Sequence, residues 1–444
     1  MTAAIGPPAP IAATEAGSPT RRIRSGLRTH GTVRVPPSKS LTNRALNLSL
    51  LVEGETEIIR PLESEDARAM VEALERLGYA VEKVAGGLLI RPERSVVERA
   101  EIDCGASGTM LRFLTASLAT RAGTWTLDGT DRLRKRPLAP LIASLRELGA
   151  EIESLGAEGF APIRIHGGTL KGGETSLDAG TSSQFLSALL MASVRAEQRV
   201  SVHVAELTSA PYVEVTLRAM AEFGFLVRRQ EGTFTIEPQK RAGRRFAVEA
   251  DYSSACYFGA AAALTGGRVT LVGLRPDSGQ GDARFFSVLE SMGACCAWIG
   301  GDLEVTGPEK LTAVAESFSD MPDQVPTLAA LAPFAEGTTE ITDVGHLRLK
   351  ESDRLRVVAS QLGRAGVGDV LETSASIVVP GAWARASPPS QAVTIDTADD
   401  HRIAMSFALL GLRRPGVSIA EPGVVAKSYP NFWDDFRAVC ETEV

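Results

Sequence analysis

The chain has 444 residues, with 47 basic against 54 acidic side chains and a formal charge of −7, a balance that argues against a dedicated nucleic-acid binder. Hydrophobic residues at 44% and charged residues at 23% are ordinary globular values and exclude a wholly disordered chain or a coiled coil. At roughly 150 residues per domain the length implies two or three units, and no apolar run approaches the roughly 20 residues of a membrane span.

The five cysteines, Cys104, Cys256, Cys295, Cys296 and Cys440, are odd in number and form no C-x-x-C, so neither a disulfide framework nor a structural zinc site is expected. The five histidines, His30, His166, His203, His346 and His401, include no H-x-x-x-H pair, and no metal site is expected. Buried thiols in a reducing cytoplasm fit this usage.

In chain order, residues 1–21 come first. They are rich in Ala, Pro and Thr, lack a signal-peptide core and read as a disordered extension. Beyond them one unit recurs about every 70 residues. Each copy opens with a helix of small and apolar residues: NRALNLSLL, GTMLRFLTASLA, SSQFLSALLMA, SSACYFGAAAALTGG, TLAALAPFAEG and HRIAMSFALLGL. A short strand follows, such as TEIIR, TWTLDG, VSVHV, RVTLVG, TEITDV or VSIAEP. A polar loop then leads into a second helix. In five copies that helix ends on a glycine, at Gly78, Gly149, Gly224, Gly293 and Gly366, each suited to the left-handed residue after a helix. The sixth copy runs out through SYPNFWDDFRAVC. A helix with no polar face is buried, so sheets enclose the helices, which argues against a doubly wound sheet or a TIM barrel.

Polar residues gather where the first helices begin, in SKSLTNR, GASGTMLR, TSSQ, DYSSA, DMPDQ and DDHR. Ser, Thr and Asp there are good N-caps. If the six starts converge, their free N–H groups also favour an anionic ligand. Basic residues recur in the loops before the second helices: Arg132, Arg134, Lys135 and Arg136, then Lys350 and Arg354, then Lys427. Arginine forks match carboxylate and phosphate oxygens. No Walker A loop, no G-x-G-x-x-G after a strand and no G-x-S-x-G elbow occurs, which removes weight from ATP, NAD and serine-hydrolase chemistry.

VPPSKSLTNRAL, DRLRKRP, SSQFLSALLMA, SAPYVEVTL, DYSSACYF, QGDARF, RLKESDRL, DDHRIAM and AKSYP together resemble the 5-enolpyruvylshikimate-3-phosphate (EPSP) synthase family, in order from about residue 33 to 436. The resemblance implies an α/β fold, a two-lobed inside-out α/β barrel of six βαβαββ repeats, three per lobe. Residues 22–36 plus 250–444 would form lobe one and 37–249 lobe two, with the active site in the cleft between them. It implies transfer of the enolpyruvyl group of phosphoenolpyruvate to the 5-hydroxyl of shikimate 3-phosphate through a tetrahedral intermediate, on the shikimate pathway to chorismate. No cofactor or metal would be needed, and a cytoplasmic monomer acting on two small molecules, with no nucleic acid or membrane partner, is expected.

By matching positions, Ser40 and Arg44 would hold the shikimate carboxylate, and Ser182, Ser183 and Ser209 its phosphate, with Tyr212, His346 and Lys350 close by. Gln184 would lie between the substrates. Arg354 and Arg402 would clamp the phosphoenolpyruvate carboxylate, while Lys39, Gly108, Arg136 and Lys427 surround its phosphate. Asp323 would be the base at the 5-hydroxyl. Glu351, with Lys39 or Lys427, would deliver the proton to carbon; such coupled groups leave the acid and base assignment open. Three positions depart from the family pattern. Gly105-Ala106-Ser107-Gly108-Thr109 lacks the usual Asn amide, which Ser107 is expected to replace in part. His346 stands in place of Asn, and Pro326 enters a helix start, where Pro is tolerated.

Two other readings are distinguishable. A UDP-N-acetylglucosamine enolpyruvyl transferase would carry Lys-Asn where this chain has Lys39-Ser40, and a cysteine in a Gly-rich loop. A non-catalytic anion-binding relative would lose its acid and base groups first, yet Asp323, Glu351, Lys39 and Lys427 are all present.

Overall fold

The computed structural model describes residues 19–93 and 97–441. The six helices expected inside are Lys39–Leu48, Gly108–Ala119, Ser183–Ser193, Tyr252–Thr265, Val325–Leu331 and His401–Arg413, the first of which buries the polar Thr42, Asn43, Arg44 and Asn47 as well. They lie inside, as their composition requires. In Tyr252–Thr265 every residue but Ser253 is buried. Its Ala and Gly residues let neighbours approach: a Cβ at Gly259 would sit 2.7 Å from the Phe286 ring. The first three of these helices pack on one another, and so do the last three.

Of the amphipathic second helices, five end as the sequence predicts. Glu65–Arg76, Ala139–Glu147, Pro211–Glu222, Phe285–Ser291 and Arg354–Arg364 each stop two residues before the recurring glycine. Gly78, Gly149, Gly224, Gly293 and Gly366 have φ of +82°, +95°, +83°, +105° and +95°, where a side chain would be strained.

The sheets repeat one pattern. Around the buried helix Gly108–Ala119, strand Arg99–Asp103 pairs in parallel with Gly123–Asp128, and the hairpin Glu151–Ser154/Ile163–Gly167 extends the sheet antiparallel. The same parallel pairing flanks Ser183–Ser193, Val325–Leu331 and His401–Arg413. For the other two buried helices the first strand arrives from far along the chain. Arg245–Ala247 pairs in parallel with Thr56–Ile59, and His30–Arg34 with Arg268–Val272.

The buried apolar residues form two separate clusters. One contains Ile23, Val33 and Val35 together with residues from Ala250 to Cys440. The other runs from Leu41 to Val248. The chain passes between them at two adjoining points. There Ser38 N–H donates to the Glu249 carbonyl (2.7 Å), Asp251 N–H donates to the Pro36 carbonyl (2.8 Å), and Pro37 bridges Ala250.

Two expectations need correction. Regular structure begins before residue 22: Thr20–Arg22 is a strand antiparallel to Ser418–Ala420. Arg21 anchors it, ion-paired with Glu441 at 2.9 Å and lying over the Trp433 ring. Composition alone could not reveal a partner strand some 400 residues away. Residues 1–18 lie outside the described part. Capping is also less uniform than the six polar segments suggest. Ser107, Ser182, Asp251 and Asp400 accept N–H groups of the first turn. Ser38 does not, and Val325–Leu331 is entered through the tight turn Pro322–Gln324. That turn places Pro326 in the helix's first turn, where its missing N–H costs nothing.

Candidate active site

The starts of the buried helices, all but Tyr252–Thr265, open on one cleft between the two apolar clusters. Lys39, Ser40, Arg44, Arg136, Ser183, Gln184, Ser209 and Tyr212 line it from one side. Asp323, Lys350, Glu351, Arg354 and Arg402 line it from the other. These are thirteen of the seventeen residues singled out in the sequence. Gly108, Ser182, His346 and Lys427 lie outside that lining and adjoin it: Gly108 beside Arg136, Ser182 next to Ser183, His346 beside Ser209 and Lys427 beside Glu351.

Arg354 is the centre of the charge network and is only 1% exposed. Its three nitrogens donate to Asp323, Glu351 and Asp400, each at 2.7 Å. Arg402 meets the other Asp323 oxygen at 2.7 Å and the Tyr257 hydroxyl at 3.2 Å. The Tyr212 hydroxyl also donates to Asp323, at 3.1 Å. Burial alone would raise the Asp323 carboxyl, but Arg402, Arg354 and Lys350 outweigh it and hold it well below the ordinary range. Glu351 is held low in the same way: burial opposes, while Arg354, Arg136 and Lys427 prevail. Arg136 approaches Glu351 at 3.5 Å and Lys427 approaches it at 3.8 Å. Burial lowers Lys350 to about 8, with Arg136 and Arg354 adding to the effect and Asp323 opposing it.

At the other end of the cleft Arg44 has neutral partners. Arg44 donates to Thr216 (2.7 Å), the Tyr212 carbonyl (2.9 Å) and the Ser40 carbonyl (3.0 Å). Burial brings it down to about 10. A buried guanidinium resting on neutral oxygens gains most from an incoming anion. Ser209 adopts φ +54°, a left-handed conformation costing about 1–2 kcal/mol for a non-glycine residue. Its hydroxyl lies 3.5 Å from the His346 ring, whose other nitrogen is 3.3 Å from Thr208. Burial, then Lys350, pushes His346 down to about 3, so it serves as a neutral hydrogen-bonding group. Lys39 stands 3.6 Å from Asp66.

The loop Gly105–Thr109 shows why glycine begins the second buried helix. A Cβ on Gly108 would lie 2.5 Å from the Arg136 guanidinium carbon and 2.9 Å from Arg112. Ala106 contributes only its carbonyl, which accepts from Lys427 at 3.0 Å. Ser107 does not stand in for an amide here. Its hydroxyl accepts from Met110 N–H as the helix cap, and it is 2% exposed.

Some cleft residues escaped the sequence reading. Arg112 is buried and donates to the Gln184 side-chain carbonyl at 2.6 Å, while the Gln184 amide nitrogen donates to Thr109 at 3.0 Å. Asp400 and His401 lie within the DDHR segment, and His401 lines the cleft with neither ring nitrogen hydrogen-bonded among the described residues. Arg112 had one signal: an arginine four residues after Gly108, on the same face of an otherwise apolar helix.

Residues 23–436 match the family model for EPSP synthase (3-phosphoshikimate 1-carboxyvinyltransferase). The chain belongs to the EPSP synthase family. A 3-phosphoshikimate 1-carboxyvinyltransferase of Syntrophobacter fumaroxidans is 45% identical over 93% of this chain and 97% of its own length. Proteins of the same name from Pseudoalteromonas atlantica and Methanoculleus marisnigri are 40% and 41% identical over 92% and 90% of the chain, and over 96% and 94% of their own lengths. The EPSP synthase of Acinetobacter baumannii superposes with a TM-score of 0.78 at 30% identity, covering 95% of this chain and 98% of that one. The α/β architecture is thus that of the EPSP synthase fold, and the chain is a transferase of the shikimate pathway acting on small molecules. Among the described residues no helix is long and apolar enough to cross a membrane, and no cluster of His, Cys, Asp and Glu could hold a metal ion.

Proposed function

We propose that this chain joins phosphoenolpyruvate to the 5-hydroxyl of shikimate 3-phosphate in a cleft between two lobes, each made of three βαβαββ units. Two separate apolar clusters support the lobes, with boundaries at 36/37 and 249/250 where the paired connections cross. The observation that carries the reading is the grouping of cations from both clusters around two carboxylates. Lys39, Arg44 and Arg136 come from one side, and Lys350, Arg354, Arg402 and Lys427 from the other, with Asp323 and Glu351 among them.

Two polyanions require such a field, and charges fixed before the reaction stabilise developing charge most effectively. Arg44 and Ser40 face one substrate's carboxylate, and Ser182, Ser183, Ser209 and Lys350 its phosphate, with His346 and Tyr212 beside them. Arg354 and Arg402 receive the phosphoenolpyruvate carboxylate, while Lys39, Gly108, Arg136 and Lys427 surround its phosphate. In this structure Asp323 itself occupies both guanidinium groups. An incoming carboxylate competes for them, frees Asp323 and raises its basicity where the 5-hydroxyl proton must go. The hydroxyl oxygen bonds to the central carbon of phosphoenolpyruvate as a proton reaches the methylene carbon. Because Arg354, Arg136 and Lys427 hold Glu351 low, that proton comes from Lys39 or Lys427 acting with Glu351, and the Glu351 carboxylate later withdraws a proton from the methyl group. Loss of the methyl proton and breakage of the carbon–oxygen bond then release phosphate. Within this reading the chain acts as a cytoplasmic monomer without a cofactor, and its five free thiols suit a reducing compartment.

Phosphate release from phosphoenolpyruvate tests the reading, with shikimate 3-phosphate and UDP-N-acetylglucosamine as alternative acceptors. Turnover with shikimate 3-phosphate alone is expected. Turnover with the sugar nucleotide would reassign the acceptor, and binding without turnover would make the chain a non-catalytic relative.

A further inference from the structure

Arg132 precedes the tight turn Leu133–Lys135, in the same loop as Arg136 but pointing elsewhere. Its Nη2 donates to the Lys350 carbonyl at 2.7 Å, and its Nε donates to the Glu351 carbonyl at 2.8 Å and the Lys350 carbonyl at 3.1 Å. Nη2 also reaches the Arg348 carbonyl at 3.4 Å. All its hydrogen bonds among the described residues go to main-chain oxygens. The segment it grips is the short non-helical link between the turn Gly345–Leu349 and helix Arg354–Arg364. Lys350 and Glu351 both stand on that link. The grip crosses from one apolar cluster to the other, over 218 residues of sequence.

We propose that Arg132 is a positioning residue for the transfer reaction, clasping the Lys350–Glu351 backbone across the cleft so that both side chains face the substrates. The inference rests on the functional reading above. Only a planar fork can hold neighbouring carbonyls at once; a lysine keeps the charge and loses the geometry. Burial and Arg136 oppose the charge on Arg132, while Glu351, Asp353 and Asp400 favour it, yet its fork is spent on main-chain carbonyls. A cation that has carboxylates in its surroundings and takes carbonyls as its partners points to placement of the link. Among the described residues none of its hydrogen bonds goes to Asp323 or to a side chain assigned to substrate.

The test uses Arg132→Lys and Arg132→Gln in the full chain. Three quantities are measured: phosphate release at saturating substrates, the Kd of shikimate 3-phosphate, and Tm. Loosening the link by about an ångström should lower kcat by about 100-fold in both variants. The shikimate 3-phosphate Kd should weaken by less than about tenfold, well short of the loss in kcat, because Lys350 alone among its proposed phosphate contacts stands on the link, and Tm should stay near that of the wild type. Wild-type kcat in Arg132→Lys would overturn the clasp and leave a charge effect. A Kd that weakens in step with kcat would overturn it in favour of substrate contact. A large fall in Tm in both variants would overturn it in favour of a structural role. A wild-type protein silent with both substrates would overturn the functional reading, and the clasp with it, whereas a fully active variant would overturn the clasp alone.

Discussion

Arg354 commits its nitrogens to Asp323, Glu351 and Asp400, and Arg402 takes the second oxygen of Asp323. In the proposed reaction Asp323 is therefore quiet as a base until another carboxylate displaces it. Replacing Asp323 with Asn keeps its shape and removes its basicity. Steady-state phosphate release should show kcat lowered by about 10²- to 10⁴-fold, the usual weight of a positioned proton acceptor. Folding should persist, because Arg354 retains Glu351 and Asp400. Lys350 gives a second check. Burial holds it near 8, so above that pH it is largely neutral, and a phosphate placed beside it raises its affinity for a proton. Binding of shikimate 3-phosphate should take up protons, with uptake growing from pH 7 to pH 9 and vanishing toward pH 6, where Lys350 is already charged. Calorimetry in buffers of different ionisation enthalpy reads this directly, and Lys350→Met should abolish the pH-dependent part.

At the level of elements, a buried helix presents its first turn to the cleft, and the residue at that turn decides how close a ligand or arginine can come. Gly108 leaves room for Arg136 and Arg112 at distances no Cβ tolerates. Gly108→Ala should push the Arg136 guanidinium aside. KM for phosphoenolpyruvate should rise about tenfold or more, as small misplacements at a site do, with KM for shikimate 3-phosphate nearly unchanged. Equal rises in both would show that Arg136 does not serve the phosphoenolpyruvate side. Six helices of this kind were legible from composition, because a helix with no polar face has nowhere to sit but inside. The glycines that end the outer helices were legible too, since Gly78 or Gly366 needs only local backbone geometry to be recognised. The cap at Ser38 was misjudged because the same hydroxyl-bearing residue can cap or not with equal sequence cost.

At the scale of the whole molecule, the proposed lobes are joined where residues 36–38 and 249–251 run side by side. Other bonds also run between the two sides: Tyr212 to Asp323, Thr208 and Ser209 to His346, Arg132 to the 348–351 backbone, Arg136 to Glu351, Lys427 to the Ala106 carbonyl, Arg218 to the Asp277 carbonyl and Ser278 to Glu249. Polar contacts that can break and re-form suit a joint that opens and closes. Shikimate 3-phosphate should shift the population toward the closed form. Solution scattering should then show a smaller radius of gyration at saturating ligand, and an unchanged radius would count against closure.

The sequence by itself determined what depends on neighbours in the chain: which helices are buried, where helices stop, that polar and basic residues precede helix starts, and which motifs resemble one family. Only the tertiary structure decided what depends on distant partners. It decided that Arg245–Ala247 completes the sheet of Thr56–Ile59, and that Thr20–Arg22 pairs with Ser418–Ala420. It also decided that Arg112 orients Gln184 and that Arg132 grips the Lys350 and Glu351 carbonyls. Each of these contacts joins groups whose local sequence carries no trace of the other, because a hydrogen bond or a strand pairing is a fact about two places at once.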